Sequence, residues 1–364
     1  MTRLKVMHVN YTMNIGGIES FIMNSIRADT SNRNEVTILT YRDQHFDYEA
    51  ELISRGVNIL RISDPTHVSM ARHLSELVRV MRTVQVDVVH AHTYFDSAFV
   101  LLAAMLAGVP TRITHSHTAL AASEKRFYKR MKWMLARFLF RIAASRRIAC
   151  SNEAGRALFG RQPFVVVPNG IDLHKFQYSL QDRELLRREL DIEESVFVVG
   201  HVGRFDIPKN HLFLIEIFKM ISVKDPHARL ILVGSGKLER QIRAKIEECG
   251  ILDKVVLLGD RNDVSRLLSV FDYFVFPSIY EGLPVSLIEV QANGLPALVS
   301  DAVSPEAKVS ECVEFLPLSA GAKVWADSIR VKTSRIDTSK SKDLQAYDIR
   351  ATVKELQTIY ENIS

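Results

Sequence analysis

Phe164-Val165-Val166-Val167-Pro168-Asn169-Gly170-Ile171-Asp172 divides the chain into two parts that read alike. The apolar, mostly β-branched run before Pro168 has the composition of a short strand. Pro-Asn-Gly then stops it, because proline donates no ladder hydrogen bond and Asn-Gly favours a turn. Upstream, short β-branched runs alternate with longer stretches of helical period, the pattern of βαβ units and a parallel sheet. Strands are expected at 4–10, 35–41, 57–62, 86–90, 111–115, 147–150 and 164–167. The pattern restarts downstream, with strands expected at 196–202, 229–233, 255–259, 273–276 and 296–299. The fold class that follows is α/β, with two Rossmann-like, doubly wound domains and a hinge near 168–180. The domains are placed at 1–168 and 172–340. Residues 304–341 carry no assignable motif. Beyond them Ile349, Val353, Leu356, Ile359 and Tyr360 recur at helical spacing, so a closing amphipathic helix is expected over about 345–364, joined to the first domain.

A length of 364 residues exceeds what one core usually supports, and 47% hydrophobic with 24% charged residues suits two ordinary folded domains. A net charge of +5 spread over this length does not indicate nucleic-acid binding. Cys150, Cys249 and Cys312 are far apart and odd in number, which fits free thiols in a reducing compartment better than disulfides or a zinc site. The start, Met1-Thr2-Arg3-Leu4-Lys5, has no apolar signal region, and the longest apolar run, 98–109, is too short to span a bilayer. A cytoplasmic location is expected.

Chemistry-bearing residues gather after the expected strands, where open parallel sheets bind ligands. Gly16-Gly17 follows the first strand and opens a helix. It reads as an anion-binding helix start or as an ordinary tight turn, and G-x-G-x-x-G is absent. Gly203-Arg204 follows the first strand of the second half, with Lys209 beyond, and the two cations could clamp a diphosphate. Glu281 and Glu289 flank Gly282-Leu283-Pro284, which places one carboxylate in a loop and the other inside a helix, suited to sugar hydroxyls and a ribose diol. The plainer alternative is a solvated acid pair. His90 and His92, and His115 and His117, form two H-x-H pairs at strand ends, each pair on one face. No carboxylate lies close enough in sequence to complete a cluster with them, so polar site residues are expected rather than metal ligands, with a buried structural role open for His90. Gly234-Ser235-Gly236-Lys237 is not a P-loop, since an earlier glycine is missing and Leu238 replaces Ser or Thr. No Asp-x-Asp occurs to hold a nucleotide sugar through a metal.

These residues together resemble glycosyltransferase family 4, whose fold is GT-B: two Rossmann-like domains facing across a cleft. The resemblance runs from Gly16-Gly17 to the last helix. It is most specific at Glu281-x7-Glu289, with support from Val167-Pro168-Asn169-Gly170-Ile171-Asp172, Gly203-Arg204 with Lys209, and His115-Ser116-His117-Thr118. It also extends to capsule and exopolysaccharide members. The resemblance implies that the Gly17 N–H, Arg204 and Lys209 hold the donor diphosphate. Glu289 would bind the ribose, and Glu281, helped by the Gly282 and Leu283 backbone, the sugar hydroxyls. Backbone near Arg261 would read the base, and His117, ahead of His115, would touch the donor sugar. The activity implied is retaining, metal-independent transfer from an NDP-sugar, with UDP favoured, to a glycan or lipid-linked oligosaccharide. No cofactor is implied beyond the donor. A nucleotide-sugar epimerase of the same fold and a non-catalytic nucleotide-sugar-binding protein are the competing readings.

Positive charge is concentrated at Lys125, Arg126, Lys129, Arg130, Lys132, Arg137 and Arg141 on an expected helix. At 100° per residue Phe127, Met131, Met134, Leu135, Phe138 and Ile142 share one face, expected to be the core side, with Trp133 and Phe140 among the basic residues opposite. That arc reads either as a solvated face or as a surface for an anionic membrane, so peripheral docking through about 125–147 is expected.

Overall fold

A computed structural model describes residues 3–41, 45–118, 127–329 and 334–362, although for 127–130 and 132 only the backbone. The first sheet contains β1 (Leu4–Val9), β2 (Asn34–Thr40), β3 (Asn58–Arg61), β4 (Val88–Ala91), β5 (Thr111–Ser116), β6 (Arg146–Ala149) and β7 (Val165–Val166). Their order is β3-β2-β1-β4-β5-β6-β7, and all neighbours run parallel. The second sheet contains β8 (Val198–Val202), β9 (Arg229–Val233), β10 (Val255–Leu257), β11 (Tyr273–Phe276), β12 (Ala297–Ser300) and β13 (Val313–Leu316). Its order, β10-β9-β8-β11-β12-β13, repeats the winding of the first sheet, again all parallel.

The chain divides into two compact units, Met1–Gly170 with Asp348–Ser364, and Ile171–Tyr347. Each sheet buries both faces of its central strands, as crossover helices require, while the edge strand β7 stays exposed. In the first unit Val6, Val88, Ile113 and Ile148 pack with Phe21, Ile22, Leu356, Ile359 and Tyr360, so the helices Gly17–Ala28 and Ile349–Glu361 cover that face. Met7, Val9, Val89 and Ala91 point the other way, onto Leu77, Met81, Leu101 and Phe140. Strand alternation thus sorts neighbours into two cores. The second unit does the same, with Val198, Phe274 and Phe276 on one side and Val199, Tyr273 and Val275 on the other.

The return into the first unit is tightly made. A Cβ on Gly170 would lie 2.4 Å from Thr352 Oγ1 and 2.8 Å from Ile349 Cα, so only glycine lets the two segments touch. Thr352 Oγ1 also donates to Pro168 O at 3.2 Å. The Ile349–Glu361 helix starts on Asp348, whose side chain accepts from Arg350 N.

The helix Phe127–Ala143 forms, but the expected orientation is reversed. Trp133, Ala136, Leu139, Phe140 and Ala143 are the buried side, while Met131, Met134, Leu135, Phe138 and Ile142 are 56, 69, 49, 60 and 47% exposed. The helix carries two apolar stripes, and periodicity alone does not say which faces inward. The inner one is chosen by aromatic packing, with Trp133 against Phe95 at 4.2 Å and Phe140 against Phe159 at 5.9 Å. Arg137 stacks over Trp133 and donates to Leu158 O and Ala157 O, so it is committed to the fold and not to solvent. Lys125 and Arg126 lie outside the described residues, as do the side chains of Lys129, Arg130 and Lys132. The apolar run 98–109 lies mostly in the helix Ser97–Ala107, and among the described residues no helix is long and apolar enough to cross a membrane.

Candidate active site

In the second unit the loops after β8 and β11 are bound to each other at the carboxyl edge of the sheet. Asp206 accepts from Ile207 N and starts a 3₁₀ turn, Ile207–Lys209, which Asn210 closes at φ 54°. Asn210 Nδ2 donates to Pro277 O at 3.0 Å, and Ile279 N donates to Pro208 O at 2.8 Å. These bonds bring Lys209 Nζ to 2.8 Å from Glu281 Oε1, with both side chains about four-fifths covered at 17 and 21% exposure. The Lys209 stem lies along Gly203, where a Cβ would fall 3.1 Å from its Cε, and its ammonium sits 4.6 Å above the Phe276 ring. Arg204 is exposed, and no ion pair is found for it among the described residues.

Gly234-Ser235-Gly236 supports this loop. At φ 131° and 157°, Cβ atoms on the two glycines would lie 2.3 Å from Gly203 O and 2.5 Å from Phe205 O. Phe205 N donates to Ser235 O at 2.7 Å. The motif that imitates a P-loop therefore cradles backbone.

Glu281 ties its own loop through its carbonyl, which accepts from Ser304 N at 3.1 Å. Gly282 and Leu283 follow, half-buried, and Leu283 packs on the core beside Leu287 and Ile288. Glu289 stands in the helix Val285–Ala292, where desolvation raises its carboxyl to about 7 against the pull of Lys175. Arg261 is held by Asp263 through two 2.7 Å bonds, which raise its pKa further and leave its side chain occupied.

In the first unit Gly17 begins the helix Gly17–Ala28 after an extended Gly16. Open space surrounds Gly17, but a Cβ on Gly16 would meet Glu19 Oε2 at 2.5 Å. Asn10 Nδ2 holds that carboxylate at 3.0 Å, so an acidic group of the chain already lies at this helix start.

The two H-x-H pairs meet, and His8 joins them because β1 places it in register with His90. Asn169 Oδ1 lies 3.1 Å from His117 Nδ1, His117 Nε2 is 2.8 Å from His92 Nδ1, and His92 Nε2 is 3.0 Å from His8 Nδ1. A second line runs from Tyr360 Oη, 2.8 Å from His90 Nδ1, to His90 Nε2, 3.1 Å from His115 Nδ1. It ends on His115 Nε2, buried without a partner. Burial holds every ring neutral. His117 is lowered to about 3 and His8 to about 4, with His90, His92 and His115 well below the ordinary histidine value. One ring nitrogen each from His8, His90 and His92 lies within 4.8 Å of the others, as do those of His92, His115 and His117. Imidazole trios of this spacing could hold a borderline divalent cation, though neither trio includes a carboxylate. His117 is partly exposed and His115 wholly buried, which favours His117 as the ring able to meet a ligand.

Sequence reasoning missed His8, Asn169 and Tyr360 as partners of the histidines. For His8 a signal was present, since it shares the parity of Val6 on a strand whose neighbour carries His90. For Tyr360, some 270 residues away in sequence, there was none.

Residues 15–175 match the family model described as Glycosyltransferase Family 4, and residues 182–311 the one described as Glycosyl transferases group 1. Over 334 residues the chain is 34% identical to "Putative glycosyltransferase EpsF" of Bacillus subtilis (strain 168), which covers 89% of this chain and 86% of that protein. Over 241 residues it is 30% identical to the Escherichia coli UDP-Gal:alpha-D-GlcNAc-diphosphoundecaprenol alpha-1,3-galactosyltransferase, with 63% and 62% covered. The crystal structure of Anabaena Alr3699/HepE in complex with UDP has the same fold, with a TM-score of 0.76 at 20% identity over 99% of this chain and 98% of that one. Two parallel sheets of matching winding and family matches in both units establish that the chain belongs to glycosyltransferase family 4 and is a glycosyltransferase of the GT-B fold.

Proposed function

We propose that the chain moves a sugar from a UDP-sugar to a lipid-linked oligosaccharide, with retention and without a metal, in capsule or exopolysaccharide assembly. The observation that carries this is the Lys209–Glu281 contact, which unites the cation assigned to the diphosphate with the carboxylate assigned to the sugar. A donor spanning its sugar–phosphate bond needs both groups within one bond's reach. Arg204 and Lys209 neutralise the diphosphate and the charge that grows on it as the anomeric C–O bond breaks. Glu281 accepts from sugar hydroxyls and Glu289 from the ribose diol. His117 is assigned to the donor sugar, and the Gly17 N–H to the diphosphate, with the Glu19 carboxylate beside it held aside by Asn10. The acceptor oxygen bonds to the anomeric carbon on the face the phosphate leaves, and its proton passes to the departing phosphate oxygen. UDP and the glycoside result. A UDP complex of similar fold and a relative named for a diphosphoundecaprenol acceptor support the choice of substrates.

The exposed stripe Met131, Met134, Leu135, Phe138 and Ile142, with exposed Arg141 beside it, gives the acceptor a meeting place. A helix presenting apolar side chains next to cations suits an anionic bilayer surface. This cytoplasmic-face docking uses the stripe, and not the Trp133 side.

The test has two parts. Incubation with UDP-sugars and a polyprenyl-diphosphate-linked glycan should release UDP only when acceptor is present and give a product of the donor's anomeric configuration. An epimerised sugar formed without acceptor, or an inverted linkage, would refute the reaction. Met134→Asp with Phe138→Asp should then cut sedimentation with anionic vesicles more than about tenfold, as each apolar side chain contributes about 1.5–3 kcal/mol when buried. A wild-type protein that ignores such vesicles at low salt removes the membrane from the picture.

A further inference from the structure

A neutral imidazole has one N–H and one lone pair, so a line of neutral histidines can be hydrogen-bonded in only one of two directions. Something at an end must choose. For His117, His92 and His8 the chooser is the Asn169 side-chain oxygen, which can only accept. His117 Nδ1, at 3.1 Å, therefore carries the proton and donates to it. That leaves His117 Nε2 bare, so His92 Nδ1, at 2.8 Å, must donate. His92 Nε2 is bare in turn, and His8 Nδ1, at 3.0 Å, must donate to it.

The second line lacks such an anchor. A tyrosine hydroxyl both gives and accepts, so Tyr360 permits either direction through His90 and His115, and that line ends on an unpartnered nitrogen. Asn169 itself is fixed. It is 5% exposed, its neighbour Gly170 is pressed against Thr352 and Ile349, and Pro168 O accepts from Thr352 Oγ1. All these residues belong to the first unit. The turn that stops β7 thus also ends the histidine line.

We propose that Asn169 is a positioning residue, which sets the tautomers of His117, His92 and His8 to Nδ1–H and holds the His117 ring with its bare Nε2 toward His92. Both His117 nitrogens are then engaged within the chain, Nδ1 by Asn169 and Nε2 by His92. The role of His117 at the donor sugar rests on the proposed function; the tautomer assignment does not.

The experiment is long-range ¹H–¹⁵N correlation of histidine-labelled, chelator-washed protein at neutral pH without donor. Single substitutions, His8→Gln, His92→Gln and His117→Gln, assign the rings. Three rings are expected with a protonated Nδ1 and a bare Nε2, the less common neutral form of a free histidine side chain in water. Asn169→Asp keeps an accepting oxygen in place and should keep the pattern. Asn169→Ala removes it, and His117 should change to the Nε2–H form. Should the alanine variant not fold, the wild-type and aspartate spectra still decide. An Nε2–H tautomer on His117 in the wild type, or an unaltered pattern in folded Asn169→Ala, would overturn the assignment. Stoichiometric zinc in the protein before the chelator wash would do so too, because nitrogens that ligate a cation are not donating to one another. If the pattern is lost in Asn169→Ala while sugar transfer proceeds at the wild-type rate, the tautomer assignment stands and His117 leaves the donor site.

Discussion

The carboxyl edges of the two sheets sit at the same place in the same winding and carry opposite chemistry. In the first unit the ends of β1, β4 and β5, and the residues just after β4 and β5, carry neutral, mostly buried imidazoles bonded largely to one another. In the second, the loops after β8 and β11 present a largely covered ion pair. A doubly wound sheet therefore provides a location, and the residues placed there decide whether it handles charge. A diphosphate needs cations, and the second unit has them.

The largest effect should come from the cations. Arg204→Ala and Lys209→Ala are each expected to lower kcat and kcat/KM together by about 10²–10³-fold, the scale of a lost donor to developing charge. A raised KM with unchanged kcat would mean that these residues only dock the donor. Glu281→Ala should cost roughly ten- to a hundredfold in turnover, as expected for a charged hydrogen bond of about 1.5–3 kcal/mol. UDP binding measured by calorimetry should hold or tighten, because Lys209 no longer has a carboxylate to leave. Weaker UDP binding in this variant would place Glu281 on the nucleotide.

A third experiment sets the two edges against each other by pH. Glu289 is raised to about 7, so its acceptor form is present above that value and lost as pH falls. Uridine, which has no phosphate to titrate, should then lose about tenfold in affinity for each pH unit below 7, and Glu289→Gln should flatten the curve. The clustered histidines His8, His90, His92, His115 and His117, all lowered by burial, should show no titration between pH 5 and 8. A signal from any of these five rings moving in that window would dissolve the contrast. The smallest effect is expected of EDTA, which should leave transfer unchanged. Loss of activity restored by Mg²⁺ or Mn²⁺ would show that the cations of the second unit are not sufficient.

The sheets were legible wherever strands are buried on both faces. β9 and β11 begin and end where expected, and the other strands shift by one or two residues at their ends. β13 was not seen, since Val313-Glu314-Phe315-Leu316 pairs on one side only and its exposed Glu314 breaks the run. The Phe127–Ala143 helix was legible as a helix and not in its rotation, because Phe138 and Phe140 are equally apolar and only the partners Phe95 and Phe159 distinguish the sides. Of the candidate site, residue types and strand-end positions could be read directly. Pairing could not, since the Lys209–Glu281 contact depends on two loop hydrogen bonds between segments about seventy residues apart.

The return of Ile349–Glu361 to the first sheet has a consequence for synthesis. Leu356, Ile359 and Tyr360 complete a core whose other members lie before Gly170. A ribosome adding about 5–20 residues per second needs roughly 10–35 s to traverse the whole second unit before it makes them. During that interval the unit begun first must wait with one face of its sheet partly uncovered, while the unit begun second has all of its chain. Nascent protein of this architecture is therefore finished in the reverse of the order in which it is started, and its early half is the part a chaperone has reason to hold.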